Sequence, residues 1–302
     1  MDFPPSRPYK ADMMADLDRQ PPPPASAGPT RFWKMHGLGN DFVILDGRAG
    51  GLALTQAGAR RLADRHFGIG CDQVIALFPA TETGAQVAMR IFNADGSEVM
   101  ACGNATRCVA RLLFEERAGQ DGHVTIETGA GLLAAFPAAF GDKFITVDMG
   151  VARTGWREIP LSSDVDTLHL PLAADGLRDG VAVSMGNPHA VFFVDDVAAV
   201  DLAHLGPRLE NDPLFPERAN IGVAQITGKD RMRLRVWERG AGLTLACGTG
   251  ASAAAVAARR RGLARGRIEI TLDGGTLWVE TDERDHVLMT GPAALSFTGT
   301  LG

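Results

Sequence analysis

Two cysteines of this 302-residue chain stand in nearly the same local sequence. Cys102 lies in the segment ACGNATRC at 101–108, and Cys247 lies in ACGTGASA at 246–253. A thiol has a pKa near working pH, so it can act as an acid or, as a thiolate, as a base. Two thiols on opposite sides of one bound molecule could remove a proton from one face of a carbon atom and return a proton to the other face. The pair therefore predicts a two-base racemase or epimerase.

Each cysteine is followed by a pattern typical of a helix, which places the thiol at a helix N-terminus. The free backbone N–H groups and the positive end of the helix dipole favour an anion there, and this position is expected to lower the pKa of a thiol. Glycine after each cysteine lets the main chain approach a ligand closely. We therefore expect the N–H groups of Gly103–Asn104 and Gly248–Thr249 to hold a carboxylate beside the thiols.

The elements that position these turns also recur along the chain. The segment from Ile91 aligns with the segment from Val236 without a gap, at the 145-residue offset of the two cysteines (247 minus 102). Two further pairs of related segments precede the cysteines in the same order: GNDFVILD at 39–46 with GNPHAVFFVD at 186–195, and GIGCDQVIAL at 68–77 with NIGVAQIT at 220–227. Three motifs that recur in one order predict an internal duplication.

Each repeat is predicted to form the same unit of strands around one helix. Met232, Leu234 and Val236 alternate with arginines, which is the pattern of a strand with one buried face. The helix after Cys247 consists almost wholly of small residues, so it is expected to be buried. A further capped helix is expected over Thr55–Gly68. We predict an α/β (α+β-like) fold with two pseudo-symmetric domains, each a curved mixed or antiparallel sheet wrapped around a central helix, and an active site in the cleft between them.

Composition limits the classes of partner. The formal net charge of −6 argues against nucleic acid, and no apolar run approaches the roughly 18 residues of a membrane span. The arginine cluster Arg259–Arg261 is expected to be a solvated helix end. The N-terminus lacks the basic start and apolar stretch of a secretory signal, so we expect a cytoplasmic protein. Residues 1–30, with the proline run Pro21–Pro24, are expected to be a disordered tail.

The other cysteines and the lysines argue against several kinds of chemistry. Four cysteines in a cytoplasmic chain of this size do not suggest a disulfide framework, and they lack the paired spacing of a structural zinc site, so no metal is expected. Cys71 and Cys108 are expected in the core, because Val223 and Ala253 stand at the equivalent positions of the second repeat. No lysine stands in a recognisable pyridoxal-phosphate setting, so we expect no cofactor.

Six segments together resemble the signatures of the diaminopimelate epimerase family, and the resemblance spans about residues 31–292. They are KMHGLGNDFVILD, ADRHFGIGCDQ, IFNADGSEVMACGNATRC, VSMGNPH, ERANIG and ERGAGLTLACGTG. The resemblance implies a cofactor-independent interconversion of LL- and meso-2,6-diaminopimelate, on the route to lysine and peptidoglycan. It also implies two similar domains that close over this small-molecule substrate, with the end of the chain returning to the first domain. The expected domains are 31–147 plus 292–302, and 148–291.

Matched position by position, the resemblance assigns roles to individual residues. It makes Cys102 and Cys247 the catalytic acid/base pair. The positions implied to bind substrate are Asn40, Gln73, Asn93, Gly103, Asn104, Asn187, Asn220, Glu238, Arg239, Gly248 and Thr249. Arg239 can hold the distal carboxylate in a bidentate contact that a lysine would not reproduce. His189 and Glu238 match positions that tune the pKa values of the cysteines.

Three other interpretations stay open from the sequence. A proline or hydroxyproline racemase would also use two thiols, but it would not need contacts to a distal carboxylate. A thiol redox protein would exchange a disulfide between Cys102 and Cys247, and a reductant would then abolish its activity. An amino-acid-binding protein without chemistry would have no use for a second thiol. The sequence also leaves a homodimer open.

Overall fold

The structure, a computed structural model, describes residues 29–117 and 122–301. The strands of the first half are β1 Thr30–Gly37, β2 Asn40–Asp46, β3 Gln73–Phe78, β4 Val87–Asn93, β5 Glu98–Val99, β6 Val124–Thr128, β7 Gly131–Pro137 and β8 Phe144–Val151. Those of the second half are β9 Val181–Ser184, β10 Pro188–Phe193, β11 Asn220–Gly228, β12 Arg231–Glu238, β13 Gly242–Thr244, β14 Ile268–Leu272, β15 Gly275–Thr281 and β16 His286–Pro292, and β17 Ala294–Leu301 follows. The helices are α1 Gln56–Ala63, α2 Gly103–Glu116, α3 Leu202–Glu210 and α4 Gly248–Arg260, with a short 3-10 helix at Val197–Ala199.

Both halves have the same order of strand pairings. In the first half β1–β2 is antiparallel, β2–β3 parallel, β3–β4 and β4–β5 antiparallel, β4–β6 parallel, and β6–β7 and β7–β8 antiparallel. The strands β9 to β16 repeat these directions pair for pair. α1 and α3 follow the second strand of their halves, and α2 and α4 follow the fifth. The predicted α/β fold with an internal duplication is therefore confirmed.

The two halves join into one continuous sheet. β8 pairs antiparallel with β16, and Phe144 lies opposite Pro292 at one end of this pair. β17 then returns to the first half and pairs antiparallel with β1. β1 begins at Thr30, the last residue of the expected tail, and residues 1–28 lie outside the described ranges. The exact domain ranges stay a prediction.

The central helices α2 and α4 are largely buried, and α4 is so because its sequence offers little polar surface. Nine residues of each helix are buried, and in α4 all nine are glycine, serine or alanine, which lets the sheet approach closely. Cys71 and Cys108 lie in the core as predicted, at 1% and 0% exposure. Burial raises the pKa of Cys71 to about 11 and that of Cys108 to about 12, so both stay thiols. No helix in the described part of the chain combines the length and the apolar character needed to cross a membrane.

The helix predicted over Thr55–Gly68 is shorter in the structure. It begins as expected, with the Thr55 side chain accepting a hydrogen bond from a backbone N–H of the first turn. It ends at Ala63, because Asp64 has an extended backbone and its carboxylate accepts two N–H groups of the following turn. The aspartate therefore stops the helix before the glycine is reached.

The arginine cluster at the end of α4 is only in part a solvated helix end. Arg259 is exposed, but Arg260 turns inward and donates to the carbonyl oxygens of Thr167 and Ala182 at 3.4 and 2.9 Å. Arg261 pairs with Asp179 at 2.8 Å. The expectation is wrong for these two residues, since Arg260 donates to carbonyl groups of buried residues and Arg261 is held by a carboxylate.

Candidate active site

α2 and α4 begin close together at the junction of the two halves. Cys102 and Cys247 are the N-cap residues of these helices, and both have an extended backbone. A Cβ atom on Gly248 would lie 3.9 Å from the Cα atom of Gly103 and 3.1 Å from Sδ of Met289. The two glycines therefore allow two helix N-termini, each with a positive dipole end, to converge on one place.

In the first half, two asparagines lie beside the thiol of Cys102. Asn104 Nδ2 donates to Asn40 Oδ1 at 3.2 Å and to the carbonyl oxygen of Ala246 at 3.3 Å. Cys102 Sγ lies 4.0 Å from Asn40 Oδ1. Asn40 is itself held by Asp72, whose Oδ2 accepts from Asn40 Nδ2 at 3.1 Å. These bonds orient both amides and tie them across to the second half.

The second half repeats this arrangement with Asn187 and Thr249. Asn187 Nδ2 donates to Thr249 Oγ1 at 3.4 Å, and Cys247 Sγ lies 3.6 Å from the same oxygen. The backbone N–H of Gly250 donates to Cys247 Sγ at 3.3 Å. His189 Nε2 lies 2.9 Å from Asn187 Oδ1, and burial lowers the pKa of His189 to about 3. The histidine is therefore neutral, and it contacts the site through Asn187.

Glu238 acts on both thiols. Thr244 Oγ1 donates to Glu238 Oε1 at 2.5 Å, and the carboxyl group is in hydrogen-bonding contact with the Cys247 thiol. Burial raises the pKa of Glu238 itself. Its negative charge raises the pKa of Cys247 and, more weakly than burial does, that of Cys102. The carboxylate therefore opposes ionisation of either cysteine.

Both thiols have a pKa above the ordinary value, so the expected lowering is wrong. Burial is the largest cause for each, and the pKa of Cys247 is raised well above its usual range. The helix N-termini do act in the expected direction, since the N–H groups of Ala105 and Asn104 lower the pKa of Cys102, and that of Gly250 lowers the pKa of Cys247. These N–H groups do not offset the loss of water.

Gln73 and Asn93 form a separate pair on neighbouring strands. Gln73 Nε2 donates to Asn93 Oδ1 at 2.9 Å, and Asn93 Nδ2 donates to Ser97 Oγ at 3.0 Å. Gln73 Oε1 is buried and has no hydrogen-bond partner among the described residues. An unpaired buried acceptor costs free energy. An ammonium group of a ligand would satisfy it.

Asn220 and Arg239 form the other separate pair. Asn220 Oδ1 accepts from the backbone N–H of Arg239 at 2.9 Å, and its Nδ2 donates to the carbonyl of Pro188 at 3.1 Å. Because both ends of this buried amide bond to the protein, Asn220 positions the loop that carries Arg239. Arg239 Nη1 donates to the carbonyl of Glu217 at 2.8 Å, which engages one of the five N–H donors of the guanidinium.

The predicted residues thus fall into groups. Those bonded to one another around the thiols and helix starts are Asn40, Cys102, Gly103, Asn104, Asn187, Glu238, Cys247, Gly248 and Thr249. Three residues that bond to these side chains were missed: Asp72 bonds to Asn40, Arg107 to Asn104, and Thr244 to Glu238. The signal for Arg107 was a charged residue directly before the apolar run at 108–110 of the helix. Within residues 29–117 and 122–301, no three His, Cys, Asp or Glu side chains come together as metal ligands do.

Solved structures with this fold include chains described as racemases and epimerases. A probable proline racemase from Agrobacterium radiobacter has a TM-score of 0.64 and 17% sequence identity, covering 90% of this chain and 93% of that chain. A predicted epimerase from Pseudomonas aeruginosa has a TM-score of 0.63 and 21% identity, covering 90% and 99%. The chain therefore has the duplicated α/β fold of this group of proteins.

Closer relatives narrow this class to one family. The family model for diaminopimelate epimerase matches residues 32–155 and 181–296. A diaminopimelate epimerase from Rhodospirillum centenum is 57% identical over 271 residues, which cover 90% of this chain and 92% of that protein. The chain belongs to the diaminopimelate epimerase family, and the resemblance seen in the sequence is confirmed.

Proposed function

We propose that this chain interconverts LL- and meso-2,6-diaminopimelate without a cofactor, on the route to lysine and peptidoglycan precursors. Membership of the family, and 57% identity to a protein named for this activity, support the substrate. The observation that carries the mechanism is the convergence of two cysteine-capped helix N-termini at Gly103 and Gly248. Two thiols beside one anion-binding place are what a two-base epimerase of an amino acid needs.

In the proposed reaction, Cys102 and Cys247 hold one proton between them when the substrate binds. The thiolate removes the proton from the α-carbon, and the electron pair of the broken C–H bond moves toward the α-carboxylate. The N–H groups of Gly103–Asn104 and Gly248–Thr249 stabilise the negative charge that develops there. The thiol on the opposite side returns its proton to the other face of the carbon. The two cysteines have then exchanged protonation states.

Burial of the thiols fits this task. The α-proton of an amino acid is very weakly acidic, so a base with a high pKa reduces the free-energy gap for its removal. The surrounding protein raises the pKa of both cysteines by excluding water, and Glu238 adds to this effect. The cost is a smaller fraction of thiolate at neutral pH.

The other predicted residues are proposed to bind the substrate and to fix its orientation between the two thiols. The unpaired Oε1 atom of Gln73 is suited to accept from an ammonium group. Arg239, fixed through the carbonyl of Glu217, is suited to a bidentate contact with the distal carboxylate. His189 is proposed to act indirectly, by holding Asn187. A proline racemase would not need these contacts to a second amino-acid group.

We also propose that the protein works in the cytoplasm. Its four cysteines are free, and a reducing compartment keeps the two reactive thiols in the state that the mechanism requires. A homodimer stays a prediction, which sedimentation of the purified chain would check.

Proton exchange at the α-carbon tests the proposed function. The reduced protein is incubated with LL-diaminopimelate in deuterated water without added cofactor, and wild type is compared with Cys102→Ala and Cys247→Ala. We expect meso product carrying deuterium from wild type and no epimerisation by either variant. Both variants should keep their fold, because cysteine and alanine differ little in bulk.

Three results would contradict this function. Wild type that exchanges no deuterium under reducing conditions, with diaminopimelate or with proline analogues, would indicate a binding role. Turnover of proline or hydroxyproline in place of diaminopimelate would identify a racemase of the same fold. Activity that disappears on adding reductant would indicate a redox protein.

A further inference from the structure

Arg107 is a fully buried cation at the junction of the two halves. Its side chain is 0% exposed, and burial lowers its pKa to about 10, which leaves it charged at neutral pH. Its nitrogen atoms donate to Asn104 Oδ1 at 2.8 Å and to the carbonyl of Pro292 at 3.2 Å, and one lies 3.8 Å from Met289 Sδ. No carboxylate in the described part of the chain pairs with it.

The duplicated fold does not itself require an arginine at this position. The equivalent residue of α4, at the 145-residue offset, is the buried Ser252. Moving an arginine out of water is unfavourable unless other groups compensate for the lost hydration. The chain nevertheless keeps space for it, since a Cβ atom on Gly37 would lie 2.9 Å from Arg107 Nη2 and one on Gly291 would lie 3.1 Å from its Cζ. A cation retained at such a cost points to a role beyond packing.

Arg107 reaches both halves of the site through Asn104. A guanidinium can only donate, so it requires the oxygen of the Asn104 amide to face it. The nitrogen of the same amide must then face the other way, where it donates to Asn40 Oδ1 and to the carbonyl of Ala246, directly before Cys247. The arginine therefore selects one of the two orientations of this amide.

Arg107 also acts on Cys102 by its charge. Burial is the largest effect on the pKa of this thiol, and among charged side chains Glu238 raises the pKa whereas Arg107, more weakly, lowers it. The two groups approach from different halves of the molecule, because Arg107 lies in α2 and Glu238 ends β12. The geometry gives the same link: Arg107 bonds to Asn104, which donates to the Asn40 Oδ1 atom that lies 4.0 Å from Cys102 Sγ. The positive charge of Arg107 therefore favours a thiolate at Cys102 from within the same helix.

We propose that Arg107 is a positioning residue, which orients the amide of Asn104 across the junction and supplies the positive charge that stabilises the Cys102 thiolate. This inference rests on the proposed role of Cys102 as an acid/base group. It assigns Arg107 no contact with the substrate.

Two variants separate the two parts of this role. Arg107→Met removes the charge and the donors with little loss of length. Arg107→Lys keeps the charge but not the planar set of donors. The matched control is Arg111→Met. Arg111 lies one turn further along α2, and its Nη1 donates to the carbonyl of Ala293 at 2.6 Å, so this change also cuts a bond between α2 and the returning chain.

The first measurement is the rate of alkylation of Cys102 by iodoacetamide as a function of pH, followed by the mass of its peptide. Cys102 is partly exposed and so open to the reagent. We expect Arg107→Met to move the midpoint to higher pH and to slow alkylation near neutral pH, because the charge that opposes the raised pKa of Cys102 is lost. Arg107→Lys should restore the midpoint. Arg111→Met should match wild type.

The second measurement is kcat and KM for epimerisation. We expect Arg107→Met to lower kcat by about tenfold or more, with a smaller change in KM. The reason is that Arg107 is proposed to act on the acid/base group Cys102 during proton transfer and not on substrate binding. Arg107→Lys should recover part of kcat, because a lysine does not orient Asn104 as the guanidinium does. Arg111→Met should keep the wild-type values.

Equal midpoints and equal kcat for folded Arg107→Met and wild type would overturn the proposal and leave Arg107 a purely structural role. If Arg107→Met does not fold, Arg107→Lys provides the test. A wild-type kcat in Arg107→Lys would refute the claim that the guanidinium of Arg107 orients the Asn104 amide. Alkylation needs no substrate. A wild type that shows the expected Cys102 profile but no epimerisation would therefore refute the proposed function and not the effect of Arg107.

Discussion

Asn187 Nδ2 lies 3.4 Å from Thr249 Oγ1, and this contact is the counterpart of the 3.2 Å contact between Asn104 and Asn40 in the other half. In both halves an asparagine from a Gly-Asn motif meets the side chain two positions after the cysteine. The side chain differs, since an asparagine stands in one half and a threonine in the other. The duplication has therefore kept the geometry around the thiols while changing the groups that supply it.

The electrostatics of the two halves differ in the same way. At the 145-residue offset, Glu238 corresponds to the neutral Asn93, and Arg107 corresponds to the neutral Ser252. The first half thus contributes a buried cation near its thiol, and the second contributes a buried carboxylate. The two helix N-termini are therefore similar in shape, but a positive charge lies near one and a negative charge near the other. This difference favours unequal protonation of the two cysteines.

The carboxylate of Glu238 yields the first prediction. Its charge raises the pKa of both thiols, so Glu238→Gln should lower both pKa values. We expect alkylation of Cys102, the partly exposed thiol, to become faster near neutral pH, the reverse of Arg107→Met. Glu210→Gln is the control, because Glu210 is buried in the same half but bonds to Trp237 Nε1 at 2.7 Å. An unchanged rate in Glu238→Gln would show that its charge does not reach the Cys102 thiol.

Much of the fold was predictable because its signals are local and repeated. The alternation of Met232, Leu234 and Val236 predicted β12, and the three motifs in one order predicted two halves of the same topology. The end of α1 was not predictable from its glycine, because Asp64 stops the helix first. The inward turn of Arg260 depends on carbonyl groups distant in sequence.

The sequence predicted which residues lie at the site better than it predicted the pKa values of the two thiols. The motifs named the residues that the structure brings together around Cys102 and Cys247, although their roles stay predictions. The direction of the thiol pKa shift was wrong, because burial is a property of the assembled halves and outweighs the local helix N-terminus. Asp72 and Arg107 were missed because their importance lies in partners that only the fold reveals.

The buried His189 yields a prediction about stability and pH. Burial, with a smaller effect of Arg239, lowers its pKa to about 3, whereas a histidine in the unfolded chain titrates near pH 6.5. Between these values the unfolded state binds a proton that the folded state does not, so the free energy of unfolding falls as pH falls. The slope from this residue reaches about 1.4 kcal/mol per pH unit. His189→Gln should remove it.

Urea unfolding of wild type and His189→Gln across this pH range measures the difference, in which other titrating groups cancel. The exposed His204→Gln serves as control and should keep the wild-type dependence. The glutamine can still donate to Asn187, so activity should change less than in His189→Phe. Parallel curves for wild type and His189→Gln would mean that His189 binds a proton equally in the folded and unfolded states, against the effect of its burial.

Gln73 yields a prediction in which the affinity for substrate falls while the stability of the free protein stays nearly unchanged. Its Oε1 atom is buried without a partner, and such an acceptor costs about 1–3 kcal/mol. Gln73→Leu removes this cost together with the 2.9 Å bond to Asn93, so the free protein should be about as stable as wild type. The substrate should bind more weakly, because an acceptor for its ammonium group is lost. Thermal unfolding and KM measure the two effects, and an unchanged KM would place Gln73 outside the substrate site.

Asp72 yields a prediction about orientation. Its Oδ2 accepts from Asn40 Nδ2 at 3.1 Å and from the backbone N–H of Asp41 at 3.0 Å, which leaves Asn40 Oδ1 facing the thiol of Cys102. Its other oxygen pairs with Arg65 at 2.7 Å in a largely exposed ion pair, which adds little stability. Asp72→Ala should therefore cost little stability but lower kcat, by up to about 100-fold if Asn40 shifts by about 1 Å.

Two comparisons make the prediction for Asp72 specific. Asp72→Asn keeps an acceptor for Asn40 and should retain more activity than Asp72→Ala. Asp46→Ala breaks a comparable ion pair, with Arg48 at 2.8 Å, at the far end of β2, so it should leave kcat unchanged. If Asp72→Ala keeps wild-type kcat and loses only as much thermal stability as Asp46→Ala, then Asn40 holds its orientation without the carboxylate. The link from Asp72 through Asn40 to Cys102 would in that case have no part in catalysis.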